Sequence, residues 1–452
     1  MRATSVEKTR RAFLWTASAA VATRGRPILG ANDRIRIGVV GVGGRGRDHI
    51  NTWSSIPEAR VAAVCDVNQA SRERAVALTE KLTGAKPKEC VDMRELLEDK
   101  EIDAVSIATP NHWHALATIW ACQAGKDVYV EKPASHNMFE SRKMVEAARK
   151  YRRMVQVGSQ SRSTPHKMKA IALLREGIIG KVYMARGLCF RRRFSIGHTP
   201  DQPVPPGIDW DKFLGPAQMK PFSVNKFEYN WHWFWDTGNG DIGNQGVHEM
   251  DIALWGLARK DWPKQVTGGG GKFIWQDDQE TPNTQQAAFV WEDGEMTFDV
   301  RNLPTPPEAL APIRGANYVG NIFFGDKGFM VLDPAGFEVY RSAMADFVGA
   351  RSAGAGGRDK YEKIAEEKAS GDGMIAHVKN FIEAVKSRDH TRLNAEIEIG
   401  AWAADFCHLA NIAYRVGRTL KLDANGRFIG DDEANAMQTR KYRPPYVVPE
   451  KV

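Results

Sequence analysis

An almost unbroken apolar run, Ile35-Arg-Ile-Gly-Val-Val40, leads into glycines, then a helix-compatible stretch, then a second apolar run, Val61–Cys65. The same alternation continues. The pattern predicts helices over Gln69–Thr83 and Met93–Asp99, a buried strand over Ala104–Ala108, and a helix over His114–Ala124 that Gly125 stops. A strand at Val128–Val130, a helix at Ser135–Tyr151 and a strand at Val155–Val157 complete the series. Short apolar strands separated by helices imply a parallel sheet covered on both faces.

After Gly158 the texture changes. Tryptophan, proline and glycine become frequent, and strands at Val182–Phe190, Gln286–Trp291, Glu295–Arg301 and Asn321–Phe324 are separated by turns. That pattern predicts a large, open, mostly antiparallel sheet, with late amphipathic helices at Ile375–Ser387 and Ile397–Val416 beside it. Thr199–Gly207, Gly268–Gly271, Pro304–Gly315 and Arg351–Asp359 read as irregular loops near a site or an interface. The fold class is therefore α/β, with one domain over residues 32–157 and a second over 158–452.

Composition narrows this picture at the N-terminus. Thr9-Arg10-Arg11-Ala12-Phe13-Leu14 is a twin-arginine ahead of a mildly apolar run, Ala12–Ala22, too short to span a bilayer. Ala20-Val21-Ala22 or Leu29-Gly30-Ala31 offers a cleavage site, so residues 1–31 read as a twin-arginine signal of an exported, periplasmic bacterial protein. That segment holds six basic residues and one acid, a net +5 of the chain's +8, which leaves +3 for the remainder. Such a balance argues against a nucleic-acid partner, and no other segment is apolar enough for a membrane span. Cys65, Cys90, Cys122, Cys189 and Cys407 are scattered and odd in number, and read as core residues.

The first strand runs into Gly41-Val-Gly43-Gly-Arg45-Gly46, and Asp66 closes the next strand twenty residues after Gly46. Gly41 permits the tight turn, Gly43 lets backbone approach a pyrophosphate, and Gly46 allows close packing of helix on strand. The helix N-terminus offers N–H groups to phosphates, and Asp66 can accept from an adenosine ribose. Asp66 favours NAD, because its charge repels a 2′-phosphate; Arg45, Arg47 and Arg72 leave NADP open.

Three further segments carry candidate chemistry. Thr109-Pro-Asn111-His112-Trp-His114 follows a strand, and its H-x-H, without a third ligand, reads as a turn contacting the cofactor rather than a metal site. Glu131-Lys132-Pro133 also closes a strand. Burial beside a cationic nicotinamide would lower the Lys132 pKa toward a useful acid–base range. Residues 229–251 combine aromatic faces with polar groups, as sugars require. There Trp231, His232 and Asp241 are candidate substrate contacts. Asn244 and His248, four apart, would share a helix face, with His248 a proton acceptor.

Together these motifs, with Gln156-Val-Gly158 and Gly240–His248, resemble the glucose–fructose oxidoreductase, inositol dehydrogenase and rhizopine-catabolism (Gfo/Idh/MocA) family across the chain from Ile35 onward. The resemblance implies an N-terminal Rossmann domain, a C-terminal α/β domain on a large open sheet, and hydride exchange between a nicotinamide and a sugar or polyol. It maps the catalytic lysine onto Lys132 and the histidine onto His248, and sets Thr109, Asn111, His114 and Glu131 beside the cofactor. One departure stands out: the family often has aspartate where this chain has Asn244. An amide can orient a hydroxyl but cannot hold a proton, so the Lys132–His248 pair would carry more of the proton transfer, or Asp241 or Asp251 would compensate.

The expected protein is a homo-oligomeric, NAD(P)-dependent oxidoreductase acting on a small-molecule carbohydrate, a sugar or glycoside hydroxyl, through a tightly held cofactor. Two alternatives remain. One is redox-neutral glycoside cleavage through a keto sugar. The other is a non-catalytic sugar-binding protein that keeps the dinucleotide structurally.

Overall fold

The computed structural model describes residues 34–305, 318–345 and 360–452. The proposed signal over residues 1–31, the loop at 304–315 beyond Thr305 and the loop at 351–359 lie outside the described residues.

The first sheet is built from β1 (Ile35–Val40), β2 (Ala59–Cys65), β3 (Lys88–Cys90), β4 (Ala104–Ile107), β5 (Asp127–Val130) and β6 (Val155–Val157), all parallel, in the order β3-β2-β1-β4-β5-β6. The helices α1 (Arg45–Ser54), α2 (Gln69–Thr83), α3 (Met93–Glu98), α4 (Asn111–Gln123) and α5 (Met138–Lys150) connect them. Strands β4 and β5, and β6 at the sheet's edge, are buried along their whole length, as expected for strands covered on both faces. Helix starts follow local chemistry. The Asn68 side chain accepts from Ala70 N to cap α2, and Asn137 accepts from Glu140 N to cap α5, which therefore begins three residues later than Ser135. The strand order reverses direction at β1/β4, so the loops after those strands share one crevice at the carboxyl edge.

After α6 (Pro165–Arg175) comes the second sheet, with β7 (Val182–Phe190) near its centre. Three helices follow β7: α7 (Trp210–Leu214), α8 (Gly240–Asn244) and α9 (Gly246–Leu257). The remaining strands are β8 (Gln265–Gly271), β9 (Thr284–Val290), β10 (Glu295–Arg301), β11 (Tyr318–Gly325), β12 (Gly328–Asp333), β13 (Gly336–Ser342), β14 (Tyr361–Lys368) and β15 (Leu420–Lys421). Their order is β14-β13-β12-β11-β7-β10-β9-β8-β15. Only β7 and β10 pair in parallel; every other neighbouring pair is antiparallel. Helices α10 (Gly373–Ser387), α11 (Ile397–Val416) and α12 (Asp432–Ala436) complete the α-helices of the described residues.

One expected loop is a strand. Gly268–Gly271 forms the end of β8, paired with Thr284–Ala287 of β9. Glycine is required there by close approach of α11: a Cβ on Gly268 would stand 2.7 Å from Tyr414 N and 2.8 Å from Ala410 O. Helix α11 serves both cores, with Ile397 and Ala404 packed among the first sheet's apolar side chains and Phe406, Leu409 and Ala410 among those of the second.

Candidate functional site

A cavity of about 850 Å³ opens at the carboxyl edge of the first sheet and is lined by Gly41, Gly43, Asp66, Thr109, Lys132, Asn244, His248 and Trp231, among others. One end is the glycine loop. Gly41 has φ +81°, and a Cβ on it would sit 2.7 Å from Ala108 O and Thr109 N; on Gly46 it would lie 1.9 Å from Gly41 O. Only hydrogen fits at either position, so α1 packs directly on the turn. A Cβ on Gly43 would instead meet just Ser71 Oγ, at 3.8 Å, which leaves that flank of backbone open to a ligand. Asp66 accepts from Val42 N at 2.7 Å and Asn68 N at 2.9 Å, tying the turn to the end of β2. Burial pushes its carboxyl pKa up, against the pull of those two N–H groups and of Arg72. Arg72 donates to the Asp66 carbonyl at 2.8 Å, and Arg74 reaches the cavity wall.

Thr109 to His114 behaves differently from the expected turn. Pro110 precedes the first turn of α4, so Asn111, His112 and His114 are helical and buried. The Asn111 amide donates to Asn239 Oδ1 at 3.0 Å. His112 lies 2.9 Å from Phe213 O and 3.3 Å from Thr237 O; His114 lies 2.7 Å from Pro133 O and 2.8 Å from Thr109 O. Burial pushes His112 down to about 3 and lowers His114, so each ring is neutral and donates to one carbonyl at a time. His112 and His114 therefore clamp backbone, His114 directly beneath the Lys132–Pro133 corner. Among the described residues no group of three His, Cys, Asp or Glu side chains is placed to hold a metal ion.

The reacting end centres on Lys132. Its Nζ donates to Asn244 O at 2.8 Å and stands 3.5 Å from Asn244 Oδ1. Burial lowers its pKa; Glu131 opposes the shift and Arg45 reinforces it. Glu131, expected beside the cofactor, spends its oxygens on protein: Oε1 accepts from Arg45 Nε at 2.8 Å and meets His49 Nε2 at 2.9 Å, and Oε2 accepts from Lys132 N at 3.2 Å. Burial alone would raise the Glu131 pKa, but Arg45 and His49 hold the carboxyl well below the usual range. It thereby ties the Arg45 guanidinium to the main chain of Lys132.

Asn244 ends α8, and His248 sits in the first turn of α9, so a break at Gln245 separates two residues that sequence spacing had set on one helix. Both still line the cavity. Burial, then the neighbouring Lys132 charge, pushes His248 down to about 3. Asp241 is not on the cavity wall: it binds Arg193 (Nη2 to Oδ1, 2.8 Å) and Asn302 (Nδ2 to Oδ2, 2.5 Å). Asp251 is likewise paired, with Arg162. Asp251 is thus engaged away from Lys132, whereas Asp241 Oδ1 also accepts from Asn244 Nδ2 at 3.4 Å and its charge works to raise the Lys132 pKa. Trp231 and His232 stack with ring centroids 3.5 Å apart, and both face the cavity.

Sequence reasoning missed several wall residues. Asn244 Nδ2 and Arg193 Nη1 each donate to Tyr229 Oη at 3.0 Å. With both lone pairs taken, that hydroxyl's own proton is free to be donated. Arg191 holds Gln245 Oε1 at 2.7 Å, and Glu228, at φ +48°, has a left-handed backbone. Neither long-range pairing nor backbone sign is visible in sequence. Three buried polar atoms of cavity-lining residues, Thr109 Oγ1, Gln160 Oε1 and His248 Nδ1, have no protein partner. Unpaired buried acceptors and donors on one cavity, beside an open glycine turn, suit a bound dinucleotide and a polar substrate.

Comparison with known proteins agrees. A family model described as the oxidoreductase family, NAD-binding Rossmann fold, matches residues 35–159, and the family's C-terminal α/β domain matches 169–294 and 363–448. The uncharacterized oxidoreductase YrbE of Bacillus subtilis is 30% identical over 195 residues, 43% of this chain and 52% of YrbE. A glycosyl hydrolase family 109 protein of Shewanella sp. (strain W3-18-1) is 29% identical over 154 residues, 33% of this chain and 34% of that protein. The chain thus matches about half the length of the first and a third of the second. In fold it is similar to a levoglucosan dehydrogenase solved with NADH and levoglucosan (TM-score 0.62, 17% identity, 86% of this chain and 99% of that one). It is also similar to the WlbA dehydrogenase of Bordetella pertussis solved with NADH and UDP-GlcNAcA (TM-score 0.61, 20% identity, 86% and 99%). With its NAD-binding domain and C-terminal domain both matched, the chain belongs to the Gfo/Idh/MocA family of oxidoreductases.

Proposed function

We propose that this protein moves a hydride between a hydroxyl-bearing carbon of a sugar or glycoside and a tightly held nicotinamide. One observation carries the reading: a single cavity joins the glycine turn and Asp66 to Lys132, Asn244 and His248 beside the Trp231–His232 stack. The cofactor, when bound, supplies the hydride acceptor. Lys132, its ammonium disfavoured by burial, takes the hydroxyl proton. His248, neutral at any ordinary pH, receives a hydrogen bond from the substrate, and the Tyr229 hydroxyl donates one. Asn244 supplies its carbonyl to Lys132 and its amide to Tyr229, fixing the two relative to each other.

A second reading is redox-neutral cleavage of a glycoside, in which a hydroxyl is oxidised, the glycosidic bond is eliminated and the ketone is reduced again. The likeness to a protein named as a glycosyl hydrolase supports it, as does a proton-handling lysine paired with a neutral histidine. The purified protein separates these readings. Reduced nicotinamide accumulating with a sugar marks net oxidation. Release of p-nitrophenol from a p-nitrophenyl glycoside without added oxidant marks the cycle. Absence of both, with NAD still released on denaturation, would leave a binding protein.

The twin-arginine segment supports export to the periplasm, and replacing Arg10 and Arg11 by lysine should leave precursor in the cytoplasm; normal export of that variant would count against it. The open nine-stranded sheet supports a homo-oligomer; light scattering that returned a monomer would reject it.

A further inference from the structure

The five cysteines look scattered in sequence, but two of them meet. Cys65 ends β2, Cys90 ends β3, and the parallel register sets them directly opposite. Neighbouring strands run about 4.8 Å apart, within the 4.4–6.8 Å Cα separation that a disulfide spans. Both are free thiols, and the Cys90 thiol donates to Val64 O at 3.9 Å. Cys65 is buried on the cavity wall, whereas Cys90 is partly exposed at the sheet's edge strand. Interaction between the two thiols lowers the Cys90 pKa and, with burial of Cys65 next, raises that of Cys65, so the accessible member is the more readily ionised.

We propose that Cys65 and Cys90 form a reversible disulfide that loosens the grip on the dinucleotide. The oxidant is a low-molecular-weight disulfide. The Cys90 thiolate attacks one of its sulfurs, forming a mixed disulfide and releasing one thiolate. The Cys65 sulfur then attacks Cys90 Sγ, gives up its proton and expels the second thiolate. Two cysteine thiols are oxidised, one disulfide is reduced to two thiols, and nothing else is consumed.

The coupling to the cofactor is geometric. Asp66 follows Cys65 directly and donates its own N–H to Cys90 O at 3.3 Å, while its carboxylate holds Val42 N of the glycine turn. Val91 and Asp92, which follow Cys90, line the same cavity. Side chains set in register on parallel strands must draw together to reach a disulfide's Cβ spacing of about 3.8 Å. That movement shifts the strand ends that carry Asp66 and Asp92. This inference needs NAD binding and is independent of the substrate.

The test uses the full chain, treated with glutathione disulfide and compared with the reduced protein. Expected are a fall from five free thiols to three, a peptide pair linking Cys65 to Cys90, and NADH affinity roughly tenfold weaker, restored by dithiothreitol. Cys90→Ser should keep the reduced protein's NADH affinity in the presence of the oxidant. If that variant fails to fold, Cys90→Ala carries the same expectation, and the peptide map of the unaltered protein stands by itself. Five persistent thiols, a glutathione adduct alone, a link to a different cysteine, or a Cys65–Cys90 link with unchanged NADH affinity would each overturn the proposal.

Discussion

Lys132 Nζ donates to the main-chain oxygen of Asn244 at 2.8 Å, so the lysine that closes β5 is held by the backbone at the end of α8. The acceptor belongs to the backbone and survives any substitution of the Asn244 side chain. Lys132→Met should lower turnover by roughly 10²–10⁴-fold, the range for a lost acid or base, and His248→Gln, which removes the imidazole hydrogen-bond acceptor, by roughly tenfold, both with NADH retention unchanged. Asn244→Ala should cost far less. Steady-state kinetics of the three variants checks this ordering.

The same contact sets a pH dependence. Burial lowers the Lys132 pKa, and His248 is already neutral above about pH 3, so oxidation should rise with pH through one limb below the ordinary lysine value and show no histidine limb near neutrality. Asn244→Asp would place a carboxylate beside the Lys132 ammonium and stabilise it. The limb should then move to higher pH. A pH–rate profile of both proteins decides the sign.

Asp66 supports the turn as well as facing the cavity. Removing its carboxylate orphans Val42 N and Asn68 N, and charged hydrogen bonds of this kind are worth about 1.5–3 kcal/mol each. Asp66→Ala should weaken NADH binding by roughly ten- to a hundredfold. Turnover should return toward normal at saturating NAD, the reverse of the Lys132→Met pattern. Fluorescence titration of NADH measures the first effect directly.

Tyr229→Phe should raise KM for the sugar roughly three- to tenfold, the value of one neutral hydrogen bond, because the donated proton is lost. Glu228→Gly should separate stability from binding. Glycine accepts φ +48° without the strain a side chain meets there, so thermal stability should hold or rise. KM should rise if the carboxylate touches substrate. Melting curves beside kinetics separate the two outcomes.

Alkaline pH should destabilise the fold through α11. Burial pushes the Asp405 carboxyl up to about 8, against the Ser141 hydroxyl that donates to it at 2.6 Å. A raised carboxyl favours the protonated fold. Its contribution is complete below the ordinary value near 4 and is lost as pH rises through about 8. Tm should fall by roughly 2–5 °C between about pH 5 and about pH 9. Asp405→Asn, which keeps the shape without the charge, should flatten that slope.

What the sequence determined is what neighbours along the chain can decide. The turn at Gly41–Gly46, Asp66 at the end of β2, Lys132 after β5 and the strand–helix alternation all follow from spacing, because backbone sterics and strand burial act over a few residues. Tertiary structure decided the remainder. Asp241 looked like a substrate contact until Arg193 and Asn302, 48 and 61 residues away, claimed its oxygens. Glu131 lines the cavity, yet its oxygens are taken by Arg45 and His49, more than eighty residues upstream. Gly268–Gly271 read as a loop until α11 was laid against it. The cysteines looked unrelated until parallel register set Cys65 opposite Cys90. A buried charge takes the nearest compensating partner in space, and that partner is chosen by how sheets and helices pack; no local rule along the chain contains it.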